Sequence, residues 1–177
     1  MISQLYNLYL QYPDVQTDTR KLKPNDLYFA LKGEHFDGNQ FAAAALDRGA
    51  AYAVIDNEKY HTGDKTILVN DVLETLQALA AHHRQQLHIP FIAITGSNGK
   101  TTTKELMHAV LSAQYKTYAT EGNLNNHIGV PLTLLKIRQD ADLAIIEMGA
   151  NHLKEIAGYC QIAMPTHGLI NNCGKAH

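Results

Sequence analysis

Residues 91–107 read Phe91-Ile92-Ala93-Ile94-Thr95-Gly96-Ser97-Asn98-Gly99-Lys100-Thr101-Thr102-Thr103-Lys104-Glu105-Leu106-Met107. Phe91 to Thr95 is an apolar, β-prone run, Gly96 to Gly99 is a glycine-bounded loop, and the residues around Lys104 and Leu106 favour helix. Strand, glycine loop and helix in this order make a phosphate-binding device. Gly96 and Gly99 let the backbone at Ser97 and Asn98 curl and aim its N–H groups inward, and the helix N-terminus adds partial positive charge. Lys100 is placed to reach the β and γ phosphates of a nucleotide. The Thr101 hydroxyl, with Thr102 beside it, is placed for the phosphates and their magnesium ion. Ile94 stands where the first glycine of the GxxxxGK[ST] pattern would be, so this is a shorter loop, GxxGKT. A bare GxxG could be a turn that merely needs glycine; the lysine and three threonines argue for phosphate.

Working outward, the C-terminal side alternates buried strand and helix. Strands are predicted at Lys116 to Ala119, Leu143 to Met148 and Gly168 to Asn171, with helices from Lys100, over Val130 to Ile137 and over Leu153 to Tyr159. That rhythm predicts a parallel sheet covered by helices. The N-terminal side is mixed. It has helices at Ile2 to Leu10 and Gln40 to Arg48, strands at Leu27 to Leu31, Tyr52 to Ile55 and Thr66 to Val69, and a stop at Gly49. Asn70-Asp71 can cap a long helix from Val72 to about Leu87, with Leu73, Leu76, Leu79 and Ala80 on one face. His88-Ile89-Pro90 is a joint, since proline disfavours helix in the residue before it. The expected organisation is a small mixed α/β domain, residues 1–88, followed by the start of a parallel-sheet P-loop domain, residues 89–177. The sheet stops just past a strand, which suggests a fragment.

The 177 residues, 45% apolar, are enough for one ordinary domain or two small ones. A formal charge of -2 and a pI near 6.5 leave no electrostatic footprint for nucleic acid. The first nineteen residues hold no Lys or Arg, and no apolar run approaches the ~20 residues of a membrane span. A cytoplasmic protein without membrane insertion is expected. Cys160 and Cys173 form no CxxC pair and read as small buried residues. His82, His83 and His88 fall on a polar helix face without partners at metal-ligand spacing.

Thr95-Gly96-Ser97-Asn98-Gly99-Lys100-Thr101-Thr102-Thr103 resembles the ATP loop of the Mur ligases. Glu121-Gly122-Asn123-Leu124-Asn125-Asn126-His127-Ile128-Gly129-Val130-Pro131 is similar to the family's second loop, and Glu147-Met148-Gly149-Ala150-Asn151-His152 to its acidic strand end. Asn171 to His177 is similar to the segment that supplies a metal-binding histidine. Thr17-Asp18-Thr19-Arg20, Ala30-Leu31-Lys32-Gly33 and Phe36-Asp37-Gly38 resemble the uridine-nucleotide pocket. Within the family, Glu-Met-Gly-Ala-Asn-His and Asn-Asn-His-Ile-Gly-Val-Pro look like the member that joins D-alanyl-D-alanine to UDP-N-acetylmuramoyl-tripeptide. The member adding the third amino acid has a different second loop, and folylpolyglutamate synthases lack such an N-terminal domain.

The resemblance implies an ATP- and magnesium-dependent amide ligase, in which ATP phosphorylates a carboxylate and an amine attacks the acyl phosphate. It gives catalytic roles to Lys100, Glu147 and His177, the last two with Thr101 as metal ligands. Nucleotide contacts fall to Gly96, Ser97, Asn98, Gly99, Thr101, Thr102 and Asn123. Substrate contacts fall to Thr19, Arg20, Lys32, Gly33, Asp37, Gly38, Asn125 and Asn126. A monomer is expected, and this chain by itself is not expected to be a competent ligase. The asparagines could instead satisfy their own turns, Glu147 could face solvent, and Lys32 could be a solvated charge. A non-ligase P-loop module is the rival reading. A small kinase would need further arginines near the loop, and after Phe91 the sequence holds only Arg138.

Overall fold

The computed structural model describes residues 1–174, and the predicted ligand His177 lies outside them. The chain divides into two compact units, Met1–Leu79 and Ala80–His177. The division falls inside one helix, and the sequence pattern alone places the joint at residues 88–90.

The first unit opens with α1 (Ile2–Gln11), then β1 (Val15–Gln16), β2 (Leu27–Phe29) and a two-stranded ribbon of β3 (Lys32–Gly33) and β4 (Phe36–Asp37). A 3-10 turn (Gly38–Phe41) leads into α2 (Ala42–Asp47), β5 (Tyr52–Ile55), a second 3-10 turn (Glu58–Tyr60), β6 (Thr66–Leu68) and α3 (Val72–Gln85). β1, β2, β5 and β6 pair in that order, all parallel. Tyr28, Ala30, Ala53 and Ile55 pack with Ala42, Ala45 and Ala50, the alanines letting α2 lie close to the sheet. α2 stops at Gly49, whose φ of +96° other residues rarely adopt. α3 starts as its sequence predicts, with the Asp71 carboxylate accepting from Glu74 N at 2.8 Å.

The second unit contains β7 (Phe91–Thr95), α4 (Lys100–Leu111), β8 (Thr117–Ala119), α5 (Gly129–Lys136), β9 (Leu143–Glu147), α6 (Glu155–Ala163) and β10 (His167–Ile170). Its sheet runs β10-β7-β9-β8, every pair parallel. α4 buries Met107 and Leu111 against Ile94, Leu143 and Ile145. The register pairs Ile94 with Glu147. The phosphate loop and the acidic strand end therefore emerge side by side at the carboxyl edge of the sheet, where α/β folds gather their sites.

Several expectations change. The predicted strand at Leu27 to Leu31 ends at Phe29, because Leu31 N turns back to Phe29 O at 2.9 Å. The last helix begins at Glu155 rather than Leu153: Lys154 has φ +70°, and the Glu155 carboxylate caps Asn151 N and His152 N at 2.7 and 3.0 Å. On α3, Val72 is buried and Leu73 only partly so. His83 is no surface residue. It is buried and bonded through Nε2 to Ile137 O at 2.8 Å, and burial lowers its pKa. Cys173 is exposed and Cys160 half-buried, so neither is the fully buried thiol expected. Arg84 is also buried. Its guanidinium stacks 3.7 Å from the Phe91 ring centroid and donates to the carbonyls of Ala163, Leu87 and Met164, so each of its three nitrogens has an acceptor.

Candidate functional site

The loop between β7 and α4 is built from backbone conformations that require glycine. Gly96 has φ +139° and Gly99 φ +78°; a Cβ on Gly96 would meet Asn172 N at 3.0 Å and Asn171 Cβ at 3.1 Å. The segment after β10 braces the loop from the other side. Asn172 accepts from Ser97 N at 3.2 Å through its carbonyl and from Asn98 N at 3.0 Å through its side chain, and donates to Asn98 O at 3.3 Å. Asn171 donates to Thr103 Oγ1 at 2.8 Å, and Gly174 N donates to Ser97 Oγ at 2.9 Å. Lys100 folds over the loop and donates to Gly96 O at 2.7 Å. Below it, the first turn of α4 leaves backbone N–H groups without intrahelical acceptors, the usual character of a helix N-terminus.

Glu147 does not face solvent; it is 1% exposed. One carboxylate oxygen accepts from the Thr101 hydroxyl at 3.2 Å and from Asn125 Nδ2 at 2.8 Å. The other, Oε2, is buried with no hydrogen-bond partner among the described residues. An unpartnered buried carboxylate oxygen is costly, and it is the kind of atom a cation relieves. A carboxylate, a hydroxyl and an amide are hard oxygen chemistry, and no group of three His, Cys, Asp or Glu side chains gathers among the described residues. That donor set fits magnesium, which takes one or two carboxylates and completes its shell with phosphate and water. It does not fit a dedicated zinc cage.

The second loop closes on the same carboxylate. Asn125 reaches Glu147, and Gly149 N donates back to Asn125 O at 2.8 Å. Asn126 caps α5, accepting from Ile128 N at 3.1 Å and Gly129 N at 2.8 Å. Gly129 is obligatory, since a Cβ there would lie 2.3 Å from the Leu124 carbonyl carbon. Asn123 is exposed at the loop tip. Thus Thr101, Asn125 and Glu147 come together, with Lys100 folded back on the Gly96 carbonyl, whereas Asn126 serves its own turn.

In the first unit each candidate has an intrachain partner. Arg20 donates to Asp18 from Nε at 2.9 Å and from its terminal nitrogen at 2.8 Å, and holds the Asp18 carboxyl down to about 2. Thr19 gives its carbonyl to Arg48 at 2.7 Å. Lys32 pairs with Asp56 at 2.7 Å. Asp37 caps the 3-10 turn by accepting from Asn39 N at 3.0 Å, while Gly33 is exposed in the β3–β4 ribbon. Gly38 is fixed by packing, because a Cβ would stand 2.5 Å from Leu31 O, and Tyr28 OH donates to its carbonyl at 3.0 Å.

Sequence reasoning missed Asn171 and Asn172 as braces, Thr120 as a partner of Glu147, and Asp56 as the anchor of Lys32. It also missed Lys104, which is 0% exposed. The spacing of Lys104 three residues after Thr101 was the available signal, as it puts both on neighbouring positions of α4.

Two family models match the chain: "Mur ligase family, catalytic domain" over residues 12–84 and "Mur ligase middle domain" over residues 94–177. Curated relatives called UDP-N-acetylmuramoyl-tripeptide--D-alanyl-D-alanine ligase align along nearly all of it. The Bacillus subtilis protein is 44% identical over 92% of the chain and 36% of its own length; the Synechocystis protein is 48% identical over 93% and 37%. Among solved structures, MurF from Acinetobacter baumannii superposes with a TM-score of 0.84 at 38% identity, covering 93% of this chain and 36% of that one. MurF from Thermotoga maritima, solved in complex with ADP, gives 0.85 at 32% identity, covering 95% and 39%. The chain spans just over a third of the length of these relatives.

Proposed function

The chain belongs to the Mur ligase family, and from that premise we propose that it supplies two binding regions of an ATP-dependent ligase. The ligase adds D-alanyl-D-alanine to UDP-N-acetylmuramoyl-tripeptide in peptidoglycan precursor synthesis. Residues 1–88 take the UDP-linked peptide and residues 89–177 take ATP, in a monomer working in the cytoplasm. The relatives' names and the fold of the MurF structures support this assignment. The observation that carries it is the Glu147 carboxylate, buried beside the phosphate loop with one oxygen left without a partner among the described residues.

The chemistry follows from charge. A carboxylate and a nucleotide triphosphate repel one another, so phosphoryl transfer between them needs cations at the γ-phosphate. Lys100 supplies one, its flexible stem exchanging the Gly96 carbonyl for phosphate oxygen. Glu147 and the Thr101 hydroxyl would hold magnesium, with His177 as a further ligand, and the bound ion would neutralise charge on the phosphates. The loop of Gly96, Ser97, Asn98, Gly99 and Thr102, with Asn123, positions the nucleotide. Asn125 orients Glu147 and, with the exposed Asn126, is assigned to substrate. The amine of D-alanyl-D-alanine then attacks the acyl carbon of the acyl phosphate formed on the peptide carboxylate, the C–O bond to phosphate breaks, and inorganic phosphate and a proton leave as the amide forms. Thr19, Arg20, Lys32, Gly33, Asp37 and Gly38 form the uridine-nucleotide pocket.

Calorimetric titration of the chain with ADP at increasing magnesium, and with UDP-N-acetylmuramoyl-tripeptide against UDP-N-acetylglucosamine, tests the proposal. The expected result is magnesium-dependent ADP binding and selective binding of the muramoyl peptide. A folded chain that binds neither would sink it.

A further inference from the structure

The most buried cation in the second unit lies outside the machinery just described. Lys104 sits on α4 one turn beyond the phosphate loop, fully enclosed, and donates from Nζ to Thr120 O at 2.6 Å. It also pairs with Glu105 Oε1 at 2.8 Å, a side chain that is itself mostly exposed. Burying an ammonium is expensive, and a carbonyl with one half-solvated carboxylate is modest compensation. A surface lysine with a water-facing head would satisfy the helix equally well, so the helix itself gives no reason for the burial.

The reason lies in what Thr120 does next. Its hydroxyl accepts from Glu147 N at 2.9 Å, and its own N–H bonds Ile145 O at 3.0 Å. Thr120 is buried and opens the loop that ends with Asn125 on the Glu147 carboxylate. Lys104 therefore fixes the near end of that loop to α4, and Asn125 fixes the far end to β9. Both terminate on the same glutamate, one at its backbone and one at its side chain.

We propose that Lys104 is a positioning residue for the nucleotide–cation site, acting through Thr120 to set Glu147 against Thr101. The inference rests on the reading of Glu147 as the magnesium carboxylate and names the residue that aims it. It makes α4 the shared part: Lys100 and Thr101 on its first turn face the phosphates, and Lys104 on the next turn locks the carboxylate partner to the same helix.

The experiment compares the chain with Lys104→Met, Thr120→Val and Glu147→Gln. In the nucleotide-free chain, amide hydrogen exchange at Glu147 is expected to quicken about tenfold in both Lys104→Met and Thr120→Val, with Ile145 in the same strand unchanged, since a buried, fully bonded N–H loses its fixed acceptor. The magnesium concentration that half-saturates ADP binding should rise about tenfold in both variants, while magnesium-free ADP binding stays within about twofold, because positioning effects act only on the ion so positioned. In a Glu147→Gln background, Lys104→Met should add nothing further, the signature of residues acting as one unit. Unchanged exchange at Glu147 overturns the proposal, as does altered exchange with an unaltered magnesium response. If Lys104→Met does not fold, Lys104→Gln, a shorter neutral side chain that can still donate a hydrogen bond, takes its place with the same expected and overturning results, and Thr120→Val remains the test of the second link. ADP binding that ignores magnesium in the unaltered chain, with the exchange pattern as expected, would overturn the cation reading of Glu147 itself and this inference with it.

Discussion

The two units treat their polar side chains in opposite ways. In the first, every charged candidate is matched inside the unit: Arg20 by Asp18 and Asp37 by Asn39 two residues away, and Lys32 by Asp56 just past β5. In the second, Glu147 is buried with an oxygen unmatched among the described residues, and Lys104 is buried to serve a neighbour. A surface that matches its own charges can exchange partners when a ligand arrives, at little cost in either state. A buried carboxylate with a free oxygen is committed to a cation and carries its desolvation cost until one binds. On the proposed reading, the contrast separates a first unit able to exchange partners for a nucleotide sugar from a second preorganised around ionic charge.

The largest effect that would break this contrast is at Glu147. Glu147→Gln keeps the shape and removes the charge. Magnesium–ADP binding should weaken about 100-fold, the scale of ~2–3 kcal/mol lost with a charged partner, and the residual binding should no longer respond to magnesium. Thermal unfolding of the variant should occur at the same temperature or higher, because a buried, half-satisfied charge has been removed. Lower stability together with unchanged magnesium binding would show Glu147 to be structural. Lys100→Ala, measured in the same titration, should lose about tenfold or more for want of a charge-assisted contact.

Next come the glycines, one in each unit. Gly129→Ala drives a Cβ to 2.3 Å from Leu124 C, and Gly38→Ala drives one to 2.5 Å from Leu31 O. Both neighbours are backbone and cannot step aside, so each variant should lose about 1–3 kcal/mol in urea unfolding. Gly122→Ala is the control: its φ is +54° but nothing lies within 4 Å of the added carbon. It should lose only about 1 kcal/mol, the cost of a left-handed backbone.

The same division explains what the sequence disclosed. β7, the loop and α4 were legible because an apolar run, two glycines and a helix-forming stretch are local signals, and Glu147 closed an apolar run whose register with β7 a parallel sheet supplies. β1, β3 and β4 were not, since strands of two residues carry no periodicity. The burial of His83, Arg84 and Lys104 was equally hidden. Their partners are carbonyls of Ile137, Ala163 and Thr120, and no backbone carbonyl has a residue type to recognise. Asn125 and Asn126 are neighbours of one type; only geometry gives the first to Glu147 and the second to a helix cap.

A smaller effect is expected at Asp56. Burial works to raise this carboxyl, but Lys32 and the donors from Asn39 and Val72 outweigh it and hold it below its ordinary 3.8. A carboxyl lowered in the folded state adds stability that is complete above the unfolded value and fades as pH falls through the folded one. Unfolding of Asp56→Asn should therefore differ from the parent at neutral pH by about 1 kcal/mol, given a half-exposed lysine partner. The two curves should converge as pH falls through the folded value.

The smallest effect sharpens the comparison most. Arg20 holds the Asp18 carboxyl at about 2, first through its side-chain hydrogen bond. The pair stands in solvent, so Arg20→Ala should hardly move the unfolding midpoint at neutral pH. It should return Asp18 toward 3.8, visible in an NMR titration of the carboxyl. The sign is the same as at Asp56: the stabilising influence is present above 3.8 and is lost as pH falls toward 2. Adding UDP-N-acetylmuramoyl-tripeptide to the unaltered chain should also raise Asp18, because an arginine turned toward a diphosphate releases its carboxylate. If the ligand binds and Asp18 does not move, Arg20 is a fixed clasp of its own turn, and the first unit recognises the nucleotide without exchanging that partner.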